Sequence, residues 1–165
     1  MKQFKQVAVI FLGLALTQPV WADEPPMTVS IKRLSMETAQ VIAQGAVEAC
    51  RKEGIQIGVT VVDRDGTVQA VLRDTIAALI TVKISKQKAF TAVNFNAPTS
   101  QLSSRANTPI GRVKGLVMSA GGLPIQAGGM LLGGVGVSGA PSGETDEACA
   151  QAGIDKVLSD LEMSM

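Results

Sequence analysis

Few stretches of this chain have residue types and spacing that could do chemistry. Gly134-Val135-Gly136-Val137-Ser138-Gly139 spells GxGxxG after an apolar run. That spacing lets a strand-to-helix turn cradle a dinucleotide pyrophosphate. The context is wrong for it: Pro141 follows, and the remaining chain offers about one helix and no second parallel strand for a ribose contact. Close packing of a strand explains these glycines without a ligand. Ser85-Lys86-Gln87-Lys88 matches the SxxK of serine acyl-enzymes, but the accompanying SDN and KTG elements are absent. Lys83, Lys86 and Lys88 read more simply as the solvated face of a helix. Asp63-Arg64-Asp65-Gly66 opens like a calcium loop, lacks the later ligands and closing Glu, and reads as a turn. Asp146 and Glu147 suit a helix start better than a cation site. Lys83, Lys86, Lys88, Arg105, Arg112 and Lys114 flank a glycine-rich half. If some converge they could hold ligand carboxylates; if not, they are ordinary surface charge.

What is missing narrows the field further. The 165 residues contain no His and no Tyr. There is no imidazole for metal ligation or proton relay, and acid–base work falls to carboxylates, lysines and two cysteines. Residues 1–22 read as a signal peptide: Lys2 and Lys5, then an apolar run from Val7 to Leu16, then Val20-Trp21-Ala22 at the cleavage positions. The run is too short for a bilayer, which takes about 20 residues. Loss of this segment removes the single Trp and leaves 13 basic against 14 acidic side chains. Near-neutral charge gives no general pull toward nucleic acid or an anionic membrane. A periplasmic or secreted location follows.

These residues need elements to position them. Residues 23–34 suit a flexible lead-in ending in a short strand, and 35–165 a single domain. Ser35 caps a helix to Glu53, with Ala39, Ile42, Ala43, Ala46, Ala49 and Cys50 at three- and four-residue spacing and Gly54 closing it. Ile55–Val62 and Thr67–Arg73 form a hairpin about the Asp63–Gly66 turn. A second helix runs from Thr81 to Phe95, stopped before Pro98. Thr99 to Lys114 is polar, with room for one short helix. Twelve of the 17 glycines lie between Gly111 and Gly153, and GLVMSAGG, LPIQAGG and MLLGGVGVSG read as three strands joined by glycine turns. Ser142–Leu161 is a last helix. The order predicts an α+β domain on one mostly antiparallel sheet. Antiparallel first and last helices on one face would bring Cys50 near Cys149, permitting a disulfide; two separately buried thiols are equally compatible with the sequence.

Over nearly the whole stretch after residue 22 the chain resembles the GlcG/HbpS family, which is related to the C-terminal domain of PduO-type proteins. The resemblance rests on LSMETAQ, VTVVDRDGTVQAVLRD, KQKAFTAVNFNAPTSQL, AGGLPI and LLGGVGVSGAPSGETDEACAQAGI, in that order. It implies a profilin-like sandwich: a five-stranded antiparallel sheet with N- and C-terminal helices on one face, assembling as a homo-oligomer. It also implies an exported haem or other tetrapyrrole binder in haem or iron sensing, sequestration or protection against oxidants. Carried over residue by residue, Thr99 in Asn96–Ser100 becomes the candidate iron-side ligand. Lys88, Arg105 or Arg112 become propionate partners, and Met118 or Met130 possible axial thioethers. DTIAALITVKIS departs from the family's smaller, Gly-containing stretch. The alternative is a small-molecule enzyme or accessory protein acting on an organic acid through Lys88 and the Thr99-Ser100 turn; a third is a ligand-free structural oligomer.

Overall fold

The computed structural model describes residues 24–165. The expected signal peptide, residues 1–22, lies outside the described residues; residues 24–30 are exposed and form no regular element. The short strand expected before residue 35 does not form.

Two serines start the principal helices of one layer. Ser35 Oγ accepts from the Thr38 amide at the head of α1 (Met36–Lys52). Ser142 Oγ accepts from the Thr145 amide at the head of α3 (Gly143–Asp155). Each satisfies one of the donors that a helix leaves unpaired at its first turn. The expected last helix is broken near Val157, and a short α4 (Leu158–Met163) follows. Past α1, Gly54 takes φ +75°, the left-handed position at which glycine costs least.

β1 (Gly58–Asp63) and β2 (Val68–Arg73) form the expected hairpin. Asp63 Oδ1 closes its turn by accepting from the Asp65 and Thr67 amides, each at 2.9 Å. The turn reading of that motif therefore holds, and Arg33 neutralises Asp63 and Asp65 from outside. β3 (Gly122–Ala127) and β4 (Met130–Ser138) complete a sheet in the order β2-β1-β4-β3, antiparallel throughout.

The sheet has four strands, not five. The missing one is GLVMSAGG. Gly115 and Gly121 hold φ +101° and +118°, outside extended backbone, and the Val117 amide donates to Thr91 Oγ1 instead of to a neighbouring strand. The polar segment before it makes two 3-10 turns, Thr99–Arg105 and Ile110–Arg112, where one short helix was expected.

Helices cover both faces. Val59, Val61, Val135 and Val137 point to the side carrying α1 and α3 and join Ile42, Ala46 and Ile154 in the main core. There Cys50 and Cys149 are bonded, with Cα atoms 5.6 Å apart. Arg51 pins α1 to the end of β2 by gripping Asp74 with two hydrogen bonds of 2.7 and 2.8 Å. The guanidinium lowers the Asp74 pKa to about 2. The opposite face is lined by Thr60, Gly134 and Gly136 and carries α2 (Ile80–Phe95). A side chain at Gly136 would land on the Ser85 carbonyl and the Ala89 amide, and one at Gly134 would come within 2.8 Å of the Ala89 carbonyl. The GxGxxG is the bed on which α2 lies.

Candidate functional site

Burial decides the fate of the SxxK residues. Ser85 is fully buried and shares a hydrogen bond of 2.8 Å with Thr60. Lys88 turns the same way, 4 % exposed. Its Nζ donates to Asp146 Oδ2 at 2.8 Å and to the Val137 carbonyl at 3.0 Å. Asp146 sits in the first turn of α3, and its Oδ1 also accepts from the Ala140 amide at 2.9 Å. Burial pushes the Asp146 pKa up, against the pull of those two donors. The pair thus ties α2 to the start of α3 beneath the β4–α3 loop.

Gly121 and Gly122 pass through the gap that remains. A Cβ on Gly121 would sit 2.6 Å from Lys88 Nζ, and one on Gly122 2.8 Å from Thr99 Cγ2. Thr99 is itself fully buried, and its Oγ1 accepts from the Gly122 amide at 2.8 Å. Beside it Ser100 donates to Glu147 Oε1 at 2.8 Å, while Glu147 Oε2 accepts from the Gly121 amide at 3.2 Å. Above these contacts lies a shallow cavity of ≈ 290 Å³, walled by Ser100, Ser103, Met118 and Glu144 among others. Glu144 is exposed, and its own backbone amide and the Ser142 hydroxyl lower its pKa, so this cavity carries negative charge.

The expected site residues therefore divide. Lys88 and Thr99 come together around Gly121-Gly122 and Met118 walls the cavity beside Ser100, all three as interior groups. The Lys88 ammonium is taken up by Asp146, the Thr99 hydroxyl by the Gly122 amide, and Met118 is 6 % exposed. To serve as a propionate partner, Lys88 would first have to leave Asp146, which neutralises its charge inside the protein. Met130 stands apart, 40 % exposed at the β3–β4 turn. Arg105 and Arg112 lie on the two 3-10 turns, exposed and without an ion pair among the described residues.

A second cavity, ≈ 360 Å³, lies on the outer side of α2. Lys83, Lys86, Gln87 and Phe90 line it from one helix face, and Lys114 and Gly115 from the loop alongside. Spacing alone had grouped Lys83 and Lys86 with Lys88; the structure sends Lys88 inward and leaves the other two outside. Nothing in the spacing marks Phe90 as a lining residue, or pairs Asp146 with Lys88 and Glu147 with Ser100. One signal was available for the charge: no Asp or Glu occurs from Thr75 to Gly143, while six Lys and Arg do.

Comparison with known proteins agrees with this architecture. The model of a family described as "Haem degrading protein HbpS-like" matches residues 34–155. The chain belongs to the HbpS-like family. A crystal structure of a double mutant of HbpS from Streptomyces reticuli is 38% identical, with TM-score 0.76, covering 86% of this chain and 97% of that one. The PduO C-terminal domain, crystallised as a haem complex, is 29% identical with TM-score 0.69, covering 74% of this chain and 94% of its own. The corrinoid adenosyltransferase PduO of Citrobacter freundii is 31% identical over 139 residues, 79% of this chain. This HbpS-like chain spans about two fifths of that protein's length, 39%. No helix among the described residues is long and apolar enough to cross a membrane.

Proposed function

We propose that this HbpS-like chain binds haem outside the cytoplasm and serves haem or iron sensing, sequestration or protection against oxidants. The observation that carries the reading is the charge of the α2 layer. Between Thr75 and Gly143 there is no carboxylate side chain, and Arg105 and Arg112 stand exposed with no ion pair among the described residues. A macrocycle with two propionates fits such a surface, because its charge meets cations of a segment without carboxylates and its apolar faces need only to leave water. The haem complex of the related PduO domain supports the same ligand. Bound iron would supply the redox and ligand-binding chemistry. A larger cavity of ≈ 580 Å³ beside α1 suits this ligand less, since Glu37 and Glu48 line it.

The iron-side assignment of Thr99 has a defined requirement. Its hydroxyl would have to leave the Gly122 amide, and a hydroxyl is a weak neutral ligand for ferric iron. Affinity in this reading comes from porphyrin burial and from pairing of the propionates. The organic-acid reading gains nothing here, because the ammonium of Lys88 is held by Asp146.

Titration of the protein with hemin tests the proposal. The expected result is a saturable Soret shift that weakens as ionic strength rises; a shift that never saturates overturns it. Export is tested separately by the intact mass of the full chain expressed in a secreting host, expected to correspond to cleavage after Ala22. A homo-oligomer belongs to the same proposal and is read by light scattering on a sizing column.

A further inference from the structure

We infer that the recess on the outer side of α2 is a recognition site for an apolar ligand body bearing two carboxylates, gripped by Lys83, Lys86 and Lys114. The inference deepens the haem reading and rests on it for the macrocycle; the recess itself is assigned from its own residues.

Lys83, Lys86 and Phe90 follow one another at three- and four-residue spacing, so α2 presents them on one face. The chain returns alongside at Gly115, whose φ of +101° lets the backbone turn there and sets Lys114 across from them. Phe90 supplies the apolar floor. One edge of its ring is covered by Gly66 of the hairpin turn, where an added Cβ would meet Phe90 Cδ2 at 2.7 Å. Its other side faces the recess, and Phe90 stays half-buried.

The three ammonium groups are exposed, and none is in an ion pair among the described residues. The chain segment that carries them, Thr75 to Gly143, holds no carboxylate side chain. Asp65 adjoins Gly66, which packs on Phe90, and Arg33 already pairs that carboxylate. Three like charges around one aromatic side chain repel one another, and a ligand dianion relieves that repulsion. Gln87 adds a neutral amide that can bond a carboxylate without charge. Nothing in the recess is built to hold iron: its donors are ammonium and amide groups, so recognition falls on the carboxylate edge of the ligand.

That distinction makes the test. Hemin, metal-free protoporphyrin IX and its dimethyl ester are titrated into the native, disulfide-bonded protein and into a Lys83→Gln/Lys86→Gln/Lys114→Gln variant. Far-UV circular dichroism confirms that the variant, changed at three exposed positions, is folded. The expected result is similar affinity for hemin and protoporphyrin, and affinity about tenfold or more weaker for both in the variant, as for loss of a charge-assisted contact. The dimethyl ester should bind the native protein as weakly as the diacid binds the variant. Hemin binding left unchanged in the variant overturns the recess and spares the haem reading. Protoporphyrin binding that needs the lysines, with no saturable hemin binding, overturns the haem reading and spares the recess. Equal binding of ester and diacid overturns the carboxylate grip.

Discussion

Replacing Asp146 with alanine should destabilise this protein far more than a loss of one surface ion pair. Lys88 and Asp146 have side chains only 5 % exposed, and the substitution leaves the ammonium with the Val137 carbonyl as its one remaining partner. Breaking a buried pair by removing one member costs about 3–5 kcal/mol. The retained carbonyl argues for the lower end, about 3 kcal/mol. For a domain of this size that is a fall in Tm of roughly 10 °C. The assay is thermal unfolding followed by far-UV circular dichroism, with the disulfide intact in every variant. A Lys88→Met/Asp146→Ala double variant, which removes both charges, should recover about 1–2 kcal/mol of the loss. The pair also predicts a pH effect. Burial raises the folded-state pKa of Asp146 above its unfolded value, so the native state holds the proton more tightly. Stability from this group therefore falls as pH rises from its unfolded-state pKa through the raised folded-state one. Asp146→Asn should flatten that slope. A loss below about 1 kcal/mol for Asp146→Ala would mean that water reaches the pair, and the argument from burial fails.

Two further outcomes test the packing of the layers. Gly136→Ala should cost about 2–3 kcal/mol or more in chemical denaturation, because the obstacles are the backbone of Ser85 and Ala89 and not a flexible side chain. Reduction of Cys50–Cys149, separated by 99 residues, should lower stability by about 4 kcal/mol in the chain-entropy account; an unchanged midpoint under reductant would place the constraint elsewhere.

The local elements were legible in the sequence because each carries its own punctuation. Ser35 and Ser142 cap helices, Asp63 closes a turn with its own carboxylate, and Gly54 ends α1, all through contacts within a few residues. The disulfide was permitted by the helix order and is formed. The fifth strand failed because an apolar, glycine-punctuated run says nothing about where its amides will bond. Val117 found the Thr91 hydroxyl, 26 residues away, and a strand ladder was no longer needed. Lys88 was misread for a similar reason. Its helical spacing fits Lys83 and Lys86 as well as it fits the interior, and its partner lies 58 residues on.

The GxGxxG and SxxK motifs, one resembling a dinucleotide cradle and the other an acyl-enzyme site, are halves of one packing device. Gly134 and Gly136 carry no side chains toward α2, so the helix backbone settles directly on β4. At that closeness the residues facing the sheet must be small or internally satisfied. Ala89 fills the first requirement, and Ser85 with Thr60 the second. Lys88 lies on the inward side near the β4 end, where its stem can run past Gly121 and reach Asp146. The same rotation of the helix fixes what stays outside. With Ser85, Lys88 and Ala89 turned in, Lys83, Lys86 and Phe90 must face the solvent together. The glycines that looked like a phosphate cradle thus help to shape the proposed recess from the far side of the helix they support. A bulkier residue at Gly136 should therefore disturb porphyrin binding as well as stability, without touching the recess.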